Sequence, residues 1–137
     1  MIKDKRKIKE IYNCVNIISD EELYPLQKWY NQLINKSINE ITIVDVLKMF
    51  RQKIFSELAM LKAIEFLEEN VFIGELYDGE LLEKISELDT TFLSSYVSNL
   101  KKILENALKK NTLHTWSYDE EEEEFKEIVE LILAKIV

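Results

Sequence analysis

The sequence predicts an all-α protein, a single-domain bundle of five to six helices spanning residues 1–137. Three observations carry that expectation. Apolar residues recur at helical spacing along almost the whole chain, and no segment sustains the alternation of a half-buried strand. There are two glycines and one proline, too few for a turn-rich β protein. Hydrophobic residues make up 47% and charged residues 32%, a balance that favours a packed core over a disordered chain.

Ile8, Ile11, Tyr12, Val15 and Ile18 form one stripe and predict a first helix over residues 4–19. A second is expected over 22–37, with Leu23, Leu26, Tyr30, Leu33 and Ile34 inward. Pro25 falls in its first turn, where the missing N–H has no helical partner to lose. Thr42-Ile43-Val44-Asp45 reads as a capping-box variant. It opens the longest expected helix, 43–69, with a seam of Ile43, Leu47, Phe50, Ile54, Leu58, Leu61 and Ile64.

Segment 70–79 breaks the pattern and holds both glycines, Gly74 and Gly79. Glycine alone reaches positive φ without steric cost, so a special backbone conformation is expected there. A short helix over 79–88 follows, with Asp78 as its expected N-cap. Asp89-Thr90-Thr91 starts another over 90–110, carrying Phe92, Tyr96, Leu100, Ile103, Leu104 and Ala107 on one side. Past a connector at 111–117, the last helix, 118–136, is expected to bury Phe125, Ile128, Val129, Ile132, Leu133 and Ile136. Short connections make sequence neighbours pack antiparallel.

The net charge of −8 argues against a nucleic-acid partner, which needs a basic face to neutralise phosphates. Lys3, Lys5, Arg6, Lys7 and Lys9 are the one basic cluster, and Asp4 and Glu10 dilute it to a solvated surface. No apolar run approaches membrane-spanning length, and the basic start leads into no signal-peptide core. A cytoplasmic protein without a membrane partner is expected. The single cysteine, Cys14, excludes an internal disulfide and a multi-cysteine zinc site. The single histidine, His114, sits beside Trp116 in the connector with no nucleophile elbow, phosphate loop or ligand pair around it. No catalytic residue, metal or cofactor is expected, and His114 reads as a surface or packing residue.

Two charged positions on the long expected helix stand out. Arg51 is one of two arginines among 18 basic residues and lies at the edge of the apolar face. A planar guanidinium there suits a bidentate carboxylate partner. Glu75, Asp78 and Glu80 are candidates if the glycine segment folds back, and direct contact with a partner protein is the other reading. Glu57 falls between Phe50, Ile54, Leu61 and Ile64, where Lys53 is the expected donor for its carboxylate, and contact with a partner protein from a concave helix face is the other reading. The run Asp119, Glu120, Glu121, Glu122, Glu123 and Glu124 suits a helix N-terminus, with Ser117 to Glu120 as a capping box. Six adjacent acids exceed that need, so a basic partner that neutralises them is the alternative.

The residues Thr42 and Asp45, then Arg51-Gln52, then Gly74-Glu75-Leu76-Tyr77-Asp78-Gly79-Glu80-Leu81-Leu82 together resemble the immunity proteins of bacterial contact-dependent growth inhibition systems. The resemblance covers residues 40–90, and the glycine-bounded run is its most specific part. It implies a small cytosolic, non-catalytic protein, made beside one cognate toxin, that binds the toxin domain and blocks its working surface. Asp45, Arg51, Gln52, Gly74 and Gly79 then form the structural motif. Glu75, Tyr77, Asp78, Glu80 and the acids at 119–124 are the candidate toxin contacts. If the toxin is a nuclease, its groove is basic and an acidic protein can fill it. The rival reading is a helical interaction module, an antitoxin or regulatory adaptor, unrelated to any delivered toxin.

Overall fold

The computed structural model describes residues 4–19 and 21–137. Among them the chain is helical over well more than half its length, and its strand-like pairing is one isolated antiparallel bridge between Lys7 and Ser37. The helices are α1 (Ile8–Ile11), α2 (Pro25–Ile34), α3 (Ile43–Gln52), α4 (Ser56–Glu69), α5 (Glu80–Ser86), α6 (Thr90–Leu93), α7 (Val97–Asn111) and α8 (Asp119–Ile136). The all-α class holds, with α1 and α6 as single turns. Lys3 of the basic cluster lies outside the described residues.

Helix α3 packs along α4, and α8 is held between α5 and α7. Their apolar faces meet in one cluster that includes Leu47, Met49, Met60, Leu67, Leu81, Leu100, Leu104 and Val129, all at most 1% exposed. Each such side chain contributes on the order of 1.5–3 kcal/mol by leaving water.

The cap of α3 forms as the sequence predicts. Asp45 N–H donates to Thr42 Oγ1 at 3.2 Å, and Thr42 N–H donates to Asp45 Oδ2 at 3.0 Å. Asp45 is also buried and accepts from Trp29 Nε1 at 3.0 Å and Lys36 Nζ at 2.6 Å. The cap thereby ties α2 and the turn after it to α3. Burial pushes the Asp45 carboxyl up, but Lys36, the Thr42 N–H and Trp29 outweigh it and hold the pKa below the usual 3.8. Pro25 occupies the first turn of α2, and Gln27 reaches back to accept from the Tyr24 N–H at 2.9 Å.

Five expected helix boundaries or caps are corrected. The first helix is a single turn, because Asn13 takes a left-handed conformation (φ 53) and the Cys14 N–H donates back to the Lys9 carbonyl at 3.0 Å. This is a helix-terminating motif that asparagine tolerates. Val15 and Ile18, expected in a buried stripe, are 81% and 91% exposed.

The helix expected over 43–69 is two helices. Lys53 (φ 56) and Phe55 (φ 47) are both left-handed, and the Ile54 N–H donates to the Met49 carbonyl at 3.1 Å. The break resets the helical phase, so Glu57 is exposed rather than enclosed and makes no ion pair with Lys53, and Leu61 is 46% exposed.

The N-cap of α5 is Gly79, not Asp78. The helix expected over 90–110 is interrupted by a 3₁₀ turn at Ser94–Tyr96. The cap of α8 lies one residue later than expected: Tyr118 is the N-cap, and its N–H donates to the Glu121 carboxylate at 3.0 Å.

Candidate functional site

Both glycines are required by the close path of segment 70–79. A Cβ on Gly74 would lie 2.2 Å from the Tyr77 carbonyl oxygen and 2.6 Å from Glu80 Cβ. Gly79 has φ +85, and a Cβ there would lie 2.9 Å from Phe125 Cδ1. The loop doubles back onto itself, with the Gly79 N–H donating to the Phe72 carbonyl at 2.8 Å and the Leu81 N–H to the Ile73 carbonyl at 3.1 Å.

Glu80 fastens this loop. Its carboxylate is buried and one oxygen accepts from the backbone N–H groups of Glu75 at 2.7 Å and Leu76 at 2.9 Å. Glu80 therefore faces inward and is not the surface group expected of it. It also performs the pinning that the sequence suggested for Arg51. Arg51 is exposed and, among the described residues, makes no ion pair with Glu75, Asp78 or Glu80. It sits in the last turn of α3, where a cation suits the unpaired helix carbonyls.

The other side of the loop is joined to the connector before α8. Asp78 Oδ2 lies 2.9 Å from His114 Nε2, and the imidazole stacks on Phe72 with ring centroids 3.9 Å apart. Trp116 meets Phe72 edge-on and packs at 5.5 Å from Phe125. Its indole N–H donates to Asn111 Oδ1 at 2.9 Å, and buried Asn111 donates in turn to the Glu122 carbonyl at 2.9 Å. His114 is thus a packing residue, as expected. At the far end of α5, Lys135 donates to the carbonyls of Ser86 at 2.5 Å and Leu88 at 3.1 Å, locking α8 to that helix.

These contacts leave a groove of about 400 Å³ between the loop and α8. One wall is Tyr77, Asp78, Gly79 and Glu83. The other is Trp116 with Glu121, Glu124 and Glu127, over a floor that includes Phe125, Ile128 and Leu131. Five carboxylates line it and, among the described residues, no lysine or arginine does. Tyr77 donates its hydroxyl to Glu83, and burial together with that bond raises the phenol pKa well above its ordinary value. The groove is an acidic rim around a partly apolar floor, a combination suited to a cation carried on an aliphatic stem.

The structure therefore brings Tyr77 and Asp78 together with Glu121 and Glu124. Asp119, Glu120, Glu122 and Glu123 are exposed outside the groove, as is Glu75. Glu83, Trp116, Glu127, Ile128 and Leu131 were not anticipated. The spacing 121, 124, 128, 131 was the available signal, since it places those residues on one helical face. Asp45 is the buried cap already described, and Gln52 ends α3 beside Ile54. No group of three or more His, Cys, Asp or Glu among the described residues is placed to hold a metal ion.

A family described as CDI immunity proteins matches residues 10–103, more than half of the chain. The match includes the glycine loop and α5 and ends within α7, ahead of Trp116 and α8. No curated protein sequence matches the chain. On the extent of the family match, the chain belongs to the CDI immunity proteins, the immunity proteins of contact-dependent growth inhibition systems.

Proposed function

We propose that this immunity protein neutralises a basic toxin domain of nuclease type by seating the groove between the glycine loop and α8 on the toxin's working surface. The supporting observation is the lining of that groove: five carboxylates, no cation among the described residues, and an apolar floor. A nuclease must hold phosphates with lysine and arginine. Those side chains match the rim in charge, and their aliphatic stems match the floor. On this reading the protein acts in the cytoplasm of the producing cell, by occupancy and not by turnover.

The test is inhibition of the toxin-sized domain encoded by the neighbouring reading frame. Nuclease activity should fall linearly with added immunity protein and reach zero at one equivalent. A nucleic-acid substrate should compete with the immunity protein for the toxin. Full inhibition far below one equivalent would point to catalysis, and binding without competition would move the contact away from the toxin's substrate groove.

A further inference from the structure

A second surface, away from the lining of the acidic groove, has contrasting chemistry. Val15 is 81% exposed, Ile18 91%, Tyr24 73% and Leu26 47%. Leu26 lines a cavity of about 210 Å³ together with Ile17, Trp29, Tyr30 and Ile54, with Gln27 and Gln52 as its polar side chains, and Val15, Ile18 and Tyr24 lie within two residues of its lining in sequence. Clustered apolar exposure of this kind marks an interaction surface. The strap at residues 51–54 separates that cavity from a cleft of about 270 Å³, which carries Arg51, Lys53 and Lys84 against one acid, Glu87.

The strap leads into the α3–α4 break, where Lys53 (φ 56) and Phe55 (φ 47) are left-handed. For a bulky side chain that conformation is an outlier, and such strain gathers at working surfaces. Charge divides the same way. Residues 1–56 hold ten basic and seven acidic side chains, and residues 57–137 hold eight and nineteen, giving +3 and −11.

The complement of this apolar and cationic surface is present in the chain itself. Tyr118, 71% exposed, immediately precedes the acids that open α8, and Asp119, Glu120 and Glu123 are exposed outside the groove. We propose that a second copy of this chain docks there head to tail, placing Tyr118 in the apolar cavity and Asp119, Glu120 and Glu123 against Arg51 and Lys53. The contact joins two different surfaces, so each pair keeps one free surface of either kind and association is open-ended. A docked copy covers the end of the molecule that carries the acidic groove. Self-association and toxin binding then exclude each other, a consequence that rests on the proposed function, whereas the association itself does not.

Sedimentation velocity of the purified full chain tests this without any toxin. The average mass should exceed that of the monomer, rise with concentration, and fall as salt is raised from about 20 mM to about 500 mM, because the ion pairs are screened. Arg51→Glu with Lys53→Glu should give a monomer, and so should Glu120→Lys with Glu123→Lys, each keeping the helical circular dichroism of the parent.

Mixing the two variants is the decisive arm. The acidic end of the first faces the cationic cleft of the second, and the reversed charges of the other two surfaces are again opposite, so the mixture should associate although neither variant does alone. Tyr118→Ala should weaken association by about tenfold, as loss of a central aromatic anchor does. A wild-type chain that stays monomeric at low salt would overturn the proposal. So would a variant pair that does not associate, or an acidic-end variant that still self-associates. If the cationic cleft instead proves necessary for toxin binding in a monomeric wild type, the surface belongs to the toxin and self-docking is refuted.

Discussion

Asp78 and His114, 36 residues apart in sequence, meet at 2.9 Å and tie the glycine loop to the connector that leads into α8. The two walls of the acidic groove are therefore not independent. Most of the tie is the stacking of the imidazole on Phe72, because the Asp78 side chain is 60% exposed and water competes for its contact with the ring nitrogen. His114→Ala should lower stability by about 1–2 kcal/mol, and Asp78→Ala by about 0–1 kcal/mol. Urea denaturation of the two variants checks the order. An equal or larger loss for Asp78→Ala would show that the carboxylate–imidazole hydrogen bond carries the contact.

Gly74→Ala should be among the most damaging single-methyl changes in the chain. The added carbon meets a backbone carbonyl at 2.2 Å, which cannot swing aside as a side-chain tip can. A loss of about 2–3 kcal/mol is expected from overpacking. Gly79→Ala combines the φ of +85 with the Phe125 ring at 2.9 Å, and about 1–2 kcal/mol is expected from the left-handed backbone alone. Chemical denaturation of both variants gives these values directly. A Gly74→Ala protein of wild-type stability would contradict the described path of the loop.

Glu80 offers a sharper contrast. Both N–H donors of Glu75 and Leu76 end on one carboxylate oxygen, so Glu80→Gln retains an acceptor while Glu80→Leu removes it. The first should cost about 1 kcal/mol and the second about 2–4 kcal/mol, since two loop N–H groups lose their partner. Amide hydrogen exchange should show Glu75 and Leu76 deprotected in the leucine variant and little changed in the glutamine one.

How far this was legible in the sequence follows from the range of each signal. The Thr42–Asp45 cap and Pro25 in the first turn of α2 depend on residues within a few positions of one another and appear as read, and α8 starts one residue later than read. The break at Lys53–Phe55 was hidden because apolar residues keep helical spacing straight through it, and neither residue advertises a left-handed conformation. The short α1 had one local clue, Asn13. In the site, the glycines marked the loop correctly. The partner of Glu80 was unreadable, because backbone N–H groups leave no trace in residue identity, and Arg51 drew attention as the conspicuous cation. The union of Tyr77 and Asp78 with Glu121 and Glu124 depends on the Phe72, His114, Trp116 and Phe125 cluster, a long-range packing event.

Acid should weaken the α2–α3 junction first through Asp45. Its folded pKa lies below the unfolded value, so its contribution is complete above the ordinary 3.8 and is lost as pH falls through the lower folded value. Asp45→Asn should reduce stability at neutral pH and flatten the stability profile below about pH 4. Thermal melts of the two proteins between neutral and strongly acidic pH check this. Parallel profiles would mean that Asp45 has no part in acid sensitivity.

The central claim is that the groove, and not acidity in general, holds the toxin. Calorimetric titration of the cognate toxin domain with two charge-matched variants tests it most directly. Glu124→Lys with Glu127→Lys alters the groove lining, and Glu120→Lys with Glu123→Lys makes the same change in net charge outside it. Both should slow association by weakening long-range attraction. The groove pair should also weaken the one-to-one complex by about a hundredfold or more, as unpaired like charges at a desolvated contact do, while the outer pair should cost about tenfold at most. Equal losses for the two pairs, or a larger loss for the outer pair, would contradict the groove as the toxin-binding site.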